Sequence, residues 1–133
     1  MNQRYTWANN QFLVGALNWL ADTFRVVLVD TTQYQFLPAV HRNLSDIPAG
    51  AQVAISPPLT STTAVGGVAS AATLSIPAVS GAVVGAVVVF HDSGNPATSE
   101  LVAYLDTANG LPLNPQGTAV QVQWDSLNGI FTL

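Results

Sequence analysis

Apolar residues recur along this chain in two rhythms, and the change between them falls near Asp22. Before it, Phe12, Leu13, Ala16, Leu17 and Leu20 recur at helical spacing and predict one face of a short amphipathic helix. Thr6, Asn9 or Asn10 can cap its start, because their side-chain oxygens accept amide hydrogens left free at a helix N-terminus. Its end is expected near Asp22. The apolar run 12–21, with Arg4 ahead of it, also has the outline of a secretory leader. Asn18 interrupts that run and Ala21-Asp22 is an indifferent cleavage site, so a helix is expected and no cleaved leader.

After Asp22 the rhythm belongs to strands. Residues 24–30 (Phe-Arg-Val-Val-Leu-Val-Asp) read as a strand with both faces mostly buried. Residues 31–50 are irregular, and within them 43–50 suggests a helical turn ended by Pro48 and Gly50. Further strands are expected at 52–56, 59–64, 73–77, 83–91, 101–106, 120–124 and 130–133. Residues 92–96 (Asp-Ser-Gly-Asn-Pro) and Asn109-Gly110 signal turns, and two prolines should stiffen the loop 110–117. Val120, Val122 and Trp124 alternate with Gln121, Gln123 and Asp125, the mark of a half-buried strand. Many short strands separated by turns predict a mainly β protein, an antiparallel sandwich or barrel-like domain with one short N-terminal helix. The helix would pack against the sheets or across their open end. No internal repeat or linker divides residues 1–133, so one β-rich domain is expected.

Charge sharpens this picture by its absence. Between Asp46 and Asp92 there is no Asp, Glu, Lys or Arg, and the whole chain is only 8% charged. A soluble domain usually carries about a quarter. Residues 64–90 are long enough on paper to span a bilayer. However, Pro77, Gly66-Gly67, Gly81 and Gly85 break the run, and Ser70, Thr73, Ser75 and Ser80 place hydroxyls through it. The expectation is therefore buried strands. Their faces should be covered by protein, some of it from neighbouring subunits, and 83–89 should not stand in solvent.

The basic residues are Arg4, Arg25 and Arg42, there is no lysine, and the formal net charge is −4. Three dispersed arginines cannot neutralise a phosphate backbone, so nucleic acid is not an expected partner. The acidic balance likewise argues against an anionic membrane surface. Cysteine is absent, which removes disulfides and thiolate chemistry. Without lysine there is no phosphate-loop Lys and no Schiff base.

Candidate catalytic groups are sparse. His91-Asp92-Ser93-Gly94 sets three triad residue types side by side, but a working triad is assembled in space from separate elements. A polar strand end entering a turn is the simpler reading. His41 and His91 lack the spacing of a metal pair. Asp92, Asn95, Asp106 and Asn109 lie near turns without forming a spaced calcium loop. A small hydrolase would have to use Asp92 with Glu100 or Asp106. Trp7, Trp19 and Trp124 read as core or interface anchors. Asn43-Leu44-Ser45 matches a glycosylation sequon, a pattern short enough to arise often by chance. No catalytic residue, cofactor or metal is expected, and the chain does not read as an enzyme.

Several segments taken in order carry a resemblance. They are 17–30 (Leu-Asn-Trp-Leu-Ala-Asp-Thr-Phe-Arg-Val-Val-Leu-Val-Asp), 41–54 (His-Arg-Asn-Leu-Ser-Asp-Ile-Pro-Ala-Gly-Ala-Gln-Val-Ala), 56–60 and 92–99. The most specific is 101–106 (Leu-Val-Ala-Tyr-Leu-Asp), followed by 110–115 and the ending Trp124-Asp125 with 129–133. Together they resemble a group of small structural proteins of tailed-bacteriophage virions. The Ala-rich 68–74 and the uncharged 83–89 depart from that pattern.

The resemblance implies a non-enzymatic virion component, foremost a head decoration or cement protein. Such a protein is made in the host cytoplasm and sits on the capsid exterior as a homo-oligomer, often a trimer, with the major capsid protein as its partner. A neck, tail or fibre-base component with a binding role is the alternative. Residues 1–6 would then form an arm, with Arg4, Tyr5 and Trp7 as candidate subunit or capsid contacts.

Overall fold

Uninterrupted runs of β-branched and aromatic residues build the centre of the molecule, because such side chains pack well on a pleated surface covered on both sides. The computed structural model describes residues 3–106, 111–125 and 129–132. Its elements are β1 (Gln3–Arg4), α1 (Thr6–Leu13), β2 (Phe24–Val29), β3 (Gln52–Ile55), β4 (Thr63–Val65), β5 (Val68–Ser70), β6 (Leu74–Ile76), β7 (Ala86–His91), β8 (Leu101–Leu105), β9 (Val120–Val122) and β10 (Phe131–Thr132). One-turn 3-10 helices occupy Leu44–Asp46 and Ala49–Ala51.

A five-stranded antiparallel sheet runs in the order β1-β8-β7-β2-β3. A three-stranded sheet, β10-β5-β4, and the pair β6-β9 are also antiparallel. The large sheet is open, with β1 and β3 at its edges, so the domain is a layered antiparallel β structure and not a closed barrel.

Register shows how the central sheet is covered on both faces. Phe24 stands opposite His91, Val26 opposite Val89 and Leu28 opposite Val87, so these share one face. There Phe24 meets Trp19 at 4.6 Å between ring centroids and Phe12 at 6.5 Å. Trp19 and Phe12 in turn touch Phe131 of β10, which joins the small sheet to the large one. On the other face, Val88 stands opposite Tyr104. Phe36 stacks on Tyr104 at 4.3 Å and Tyr34 lies 6.4 Å from it. The irregular segment after β2 is therefore the lid of that face. Leu44 and Ile47 are buried too, and the Gln52 amide donates to both their carbonyls.

The charge-free stretch resolves accordingly. Val84, Val87, Val88 and Val89 are buried within this single chain, and only Val83 of residues 83–89 is a large exposed hydrophobic. For β7 the cover is supplied by the chain itself, whereas β4 is exposed throughout and Ile55 of β3 and Val65 of β4 stand at the surface. Among the described residues, no helix is long and apolar enough to cross a membrane.

Three local expectations shift. The helix ends at Leu13, well before Asp22, because Gly15 adopts a left-handed φ of 78°. Beyond it, the Asn18 side chain accepts the amide hydrogens of Leu20 and Ala21, and Asp22 accepts that of Asn18. Such side-chain bonds compete with helix continuation and fold 18–22 into a separate turn. Tyr5, not Thr6, Asn9 or Asn10, occupies the N-cap position. The strand expected at 59–64 lies instead at β4, paired with the unforeseen β5 across Gly66-Gly67. Both glycines have positive φ, as a tight hairpin turn requires. The turn expected at Asn109-Gly110 lies outside the described residues.

Candidate functional site

Of the segment expected as an arm, the described residues 3–6 are built into the fold. Arg4 lies in edge strand β1, where its Nε donates to Asn9 Oδ1 at 2.7 Å. Its Nη1 donates to the carbonyl of Thr132, bridging to the C-terminal strand. Open clefts of about 270 Å³ toward 129–132 and about 340 Å³ toward Thr6 and Pro38 flank this guanidinium. Tyr5 is wholly enclosed, set edge-on against Phe36 with its hydroxyl 2.8 Å from that of Tyr34. In this fold Tyr5 is a core residue and offers no surface to a neighbour.

Trp7 is different. It is 41% exposed, and the Arg42 guanidinium carbon sits 4.4 Å from its ring centroid, within cation–π range. Arg42 also approaches Glu100 Oε1 at 3.6 Å, and Gln11 Nε2 donates to the same oxygen at 3.2 Å. This arrangement clamps the outer side of α1 to the start of β8.

The helix buries Ala8 and packs Phe12 inward. Helical geometry then turns Trp7, Asn10 and Leu13 outward together, with Val14 continuing the arc. Leu13 is 83% exposed and Val14 67% exposed, and Leu20 is also exposed in the following turn. Ile55 of β3 and Val65 of β4 are exposed as well, but Trp7, Leu13 and Val14 are gathered on one short helix and its cap. The sequence pattern had assigned Leu13 and Leu20 to the inner face. The early helix end reverses that assignment.

The candidate catalytic groups are held in other roles. His91 Nε2 faces Asp22 Oδ2 at 3.8 Å, whereas Ser93 Oγ contacts Thr98 Oγ1 at 2.6 Å, Ser99 Oγ at 3.2 Å and the Asn95 carbonyl at 3.1 Å. Asp92 accepts from Arg25 Nε at 2.6 Å and from the Gly94 amide at 2.9 Å. The Gly94 amide, and after it the Arg25 guanidinium, hold the Asp92 carboxyl below the usual carboxylate range. The His-Asp-Ser sequence thus forms a turn scaffold and not a proton relay.

His41 contacts Tyr34, far in the fold from the His91 contacts with Asp22 and Phe24. Among the described residues, no three His, Asp or Glu side chains converge as metal ligands would. Asn95 Oδ1 is occupied by the Ala97 amide, Asp106 has partners within the fold, and Asn109 lies outside the described residues. Trp19 is a core anchor, and Trp124 donates from Nε1 to the Ala72 carbonyl at 3.1 Å. Compared with models of protein families and with curated proteins, the sequence matches none.

Proposed function

We propose that this chain is a non-enzymatic structural protein of a tailed-phage particle, a head decoration or cement protein acting as a homo-oligomer on the capsid exterior. The observation that carries the reading is the exposed apolar arc of Trp7, Leu13 and Val14 on a β domain whose central sheet is covered on both faces. A rigid core with one outward apolar helix suits a protein whose task is to sit against other protein. The ordered resemblance of 17–30, 41–54 and 101–106 to small virion proteins supports the same reading. Many weak contacts made at once stabilise a shell through avidity, so no single deep pocket is required.

The surface that would meet a neighbouring copy or the major capsid protein comprises Trp7 with its Arg42 partner, Leu13, Val14 and the Arg4 edge. Aromatic and Arg side chains are enriched where protein contacts carry energy.

The test combines two measurements on the full chain. Sedimentation velocity should find a trimer or other homo-oligomer, and expanded capsid shells should retain the protein on co-sedimentation. A monomer at high concentration that leaves the shells bare would overturn the reading. Density confined to the neck or tail in cryo-electron microscopy of the particle would transfer the protein to the alternative site.

A further inference from the structure

The β4–β5 hairpin carries its outer strand clear of the rest of the fold. Thr63, Ala64 and Val65 are all exposed, so neither face of β4 is covered. On one side β4 pairs with β5, Thr63 with Ser70, Ala64 with Ala69 and Val65 with Val68. Its other side is the end of the three-stranded sheet.

Register decides which groups point out of that end. The Ala69 carbonyl accepts the Ile130 amide, so Ala69 turns its backbone polar groups toward β10. The N–H and C=O of one strand residue lie on the same side, which makes Ala64 and Ala69 a pair without mutual hydrogen bonds. Ala64 therefore aims its own N–H and C=O away from β5. Among the described residues, none takes either group.

We propose that β4 pairs antiparallel with β4 of a second copy across a two-fold axis at Ala64, joining the two three-stranded sheets edge to edge. The two Ala64 residues then exchange both of their outward hydrogen bonds. Thr63 stands opposite Val65 of the second copy and covers a side chain that is 75% exposed in the single chain. Pairing about a two-fold axis sets any charge close to its own copy, where the two repel. Residues 47–90 carry none. Open edges are ordinarily guarded by a charge, a proline or a bulge. Edge strand β1 carries Arg4, and β3 runs into Pro57-Pro58. β4 has no charge and no proline, and its register with β5 is unbroken. Three residues make a small, reversible joint, effective where copies are already held close. It is separate from the Trp7, Leu13 and Val14 arc and needs no virion to form.

The chain has no cysteine, so introduced thiols report this register without background. Residues 63 and 65 of opposite copies would stand about 4.5 Å apart at Cα, within disulfide reach. Full-length chains carry Leu13→Asp, which disables the helical arc. Mixed in equal amounts, Thr63→Cys and Val65→Cys chains should cross-link to each other under mild oxidation, read by intact mass. Each alone should cross-link at least about tenfold more slowly, because like positions stand roughly 8 Å apart. Adding Ala64→Pro to both chains removes the outward N–H, spares the bonds to β5 and should slow the mixed cross-link at least about tenfold. Ala64→Lys sets like charges face to face and should do the same, which covers a proline variant that does not fold. Like chains cross-linking as fast as mixed ones, or a mixed rate unchanged by Ala64→Lys, would overturn the pairing. Absence of the mixed cross-link would also overturn it, and would leave the edge to a strand of another protein.

Discussion

The indole N–H of Trp19 donates to the backbone carbonyl of Ser70 at 3.1 Å, while the ring packs on Phe24 and Phe131. One side chain thereby joins the turn after α1, the large sheet and the small sheet. Trp19→Ala should cost about 3–5 kcal/mol, because it opens a cavity where three elements meet. Trp19→Phe keeps most of the packing and should cost less, near the ~1 kcal/mol of a lost hydrogen bond plus the missing ring volume. Urea denaturation midpoints at constant slope would give both values.

Gly129 is expected to be the least replaceable glycine of the C-terminal region. Its φ is 60°, and an added Cβ would stand 2.4 Å from the Ala69 carbonyl oxygen, which belongs to the backbone of β5 and cannot swing away. Gly94 also has a left-handed φ, 88°, but open space around it. Gly94→Ala should therefore lose only the conformational term, about 1–2 kcal/mol. Gly129→Ala should lose more than that and release β10 from β5, read as faster amide exchange at Ile130 and Phe131.

Ser56 completes a ladder that proline ends. Pro57 and Pro58 follow β3, and the Ser56 hydroxyl accepts the Val26 amide hydrogen at 2.8 Å while donating to the Pro57 carbonyl. Ser56 is 2% exposed, so Ser56→Ala leaves the Val26 N–H buried and unmet. The expected loss is about 1–3 kcal/mol. Ser56→Thr, which keeps the hydroxyl, should lose less in the same thermal melt.

The Gly94 amide and the Arg25 guanidinium on Asp92 set an acid-side dependence. The Asp92 carboxyl is held below its ordinary value in the folded chain. A depressed folded value contributes stability that is present above about pH 4 and lost as pH falls through the folded value. Both side chains are partly open to water, which limits the effect to about 1 kcal/mol. Asp92→Asn should be less stable than the parent at about pH 6, and the gap should close on acidification toward about pH 2. Chemical denaturation across that range measures it.

Leu13→Asp probes the outward helical arc. Leu13 touches little of its own chain, so folding stability should change by less than about 0.5 kcal/mol. Self-association and shell binding should fall sharply, because the charge would enter the proposed contact. Retained oligomer size in sedimentation velocity would exclude this face from the interface.

The sequence was informative where burial is two-sided and local. Runs such as Val87-Val88-Val89-Phe90 and Leu101-Val102-Ala103-Tyr104-Leu105 have no polar position to give solvent, so they can only be covered strands, and β7 and β8 lie where they were expected. Gly66-Gly67 carries the signal for the β4–β5 hairpin, because both residues need positive φ. The candidate contacts were only partly legible. Trp7 is partly exposed and Tyr5 enclosed, because no local pattern distinguishes an aromatic that reaches outward from one that finds Tyr34 in the core.

By itself, then, the sequence determined the antiparallel β character and the central strands. Only the tertiary structure decided what covers those strands and which helical face is left outward. Strand burial is written in the residues of the strand. Its cover comes from Tyr34 and Phe36, which lie outside any periodic pattern, and from Phe131 of β10, all of which reach the sheet through long-range packing. The outward arc follows from Gly15, whose backbone conformation ends α1 before the apolar spacing does.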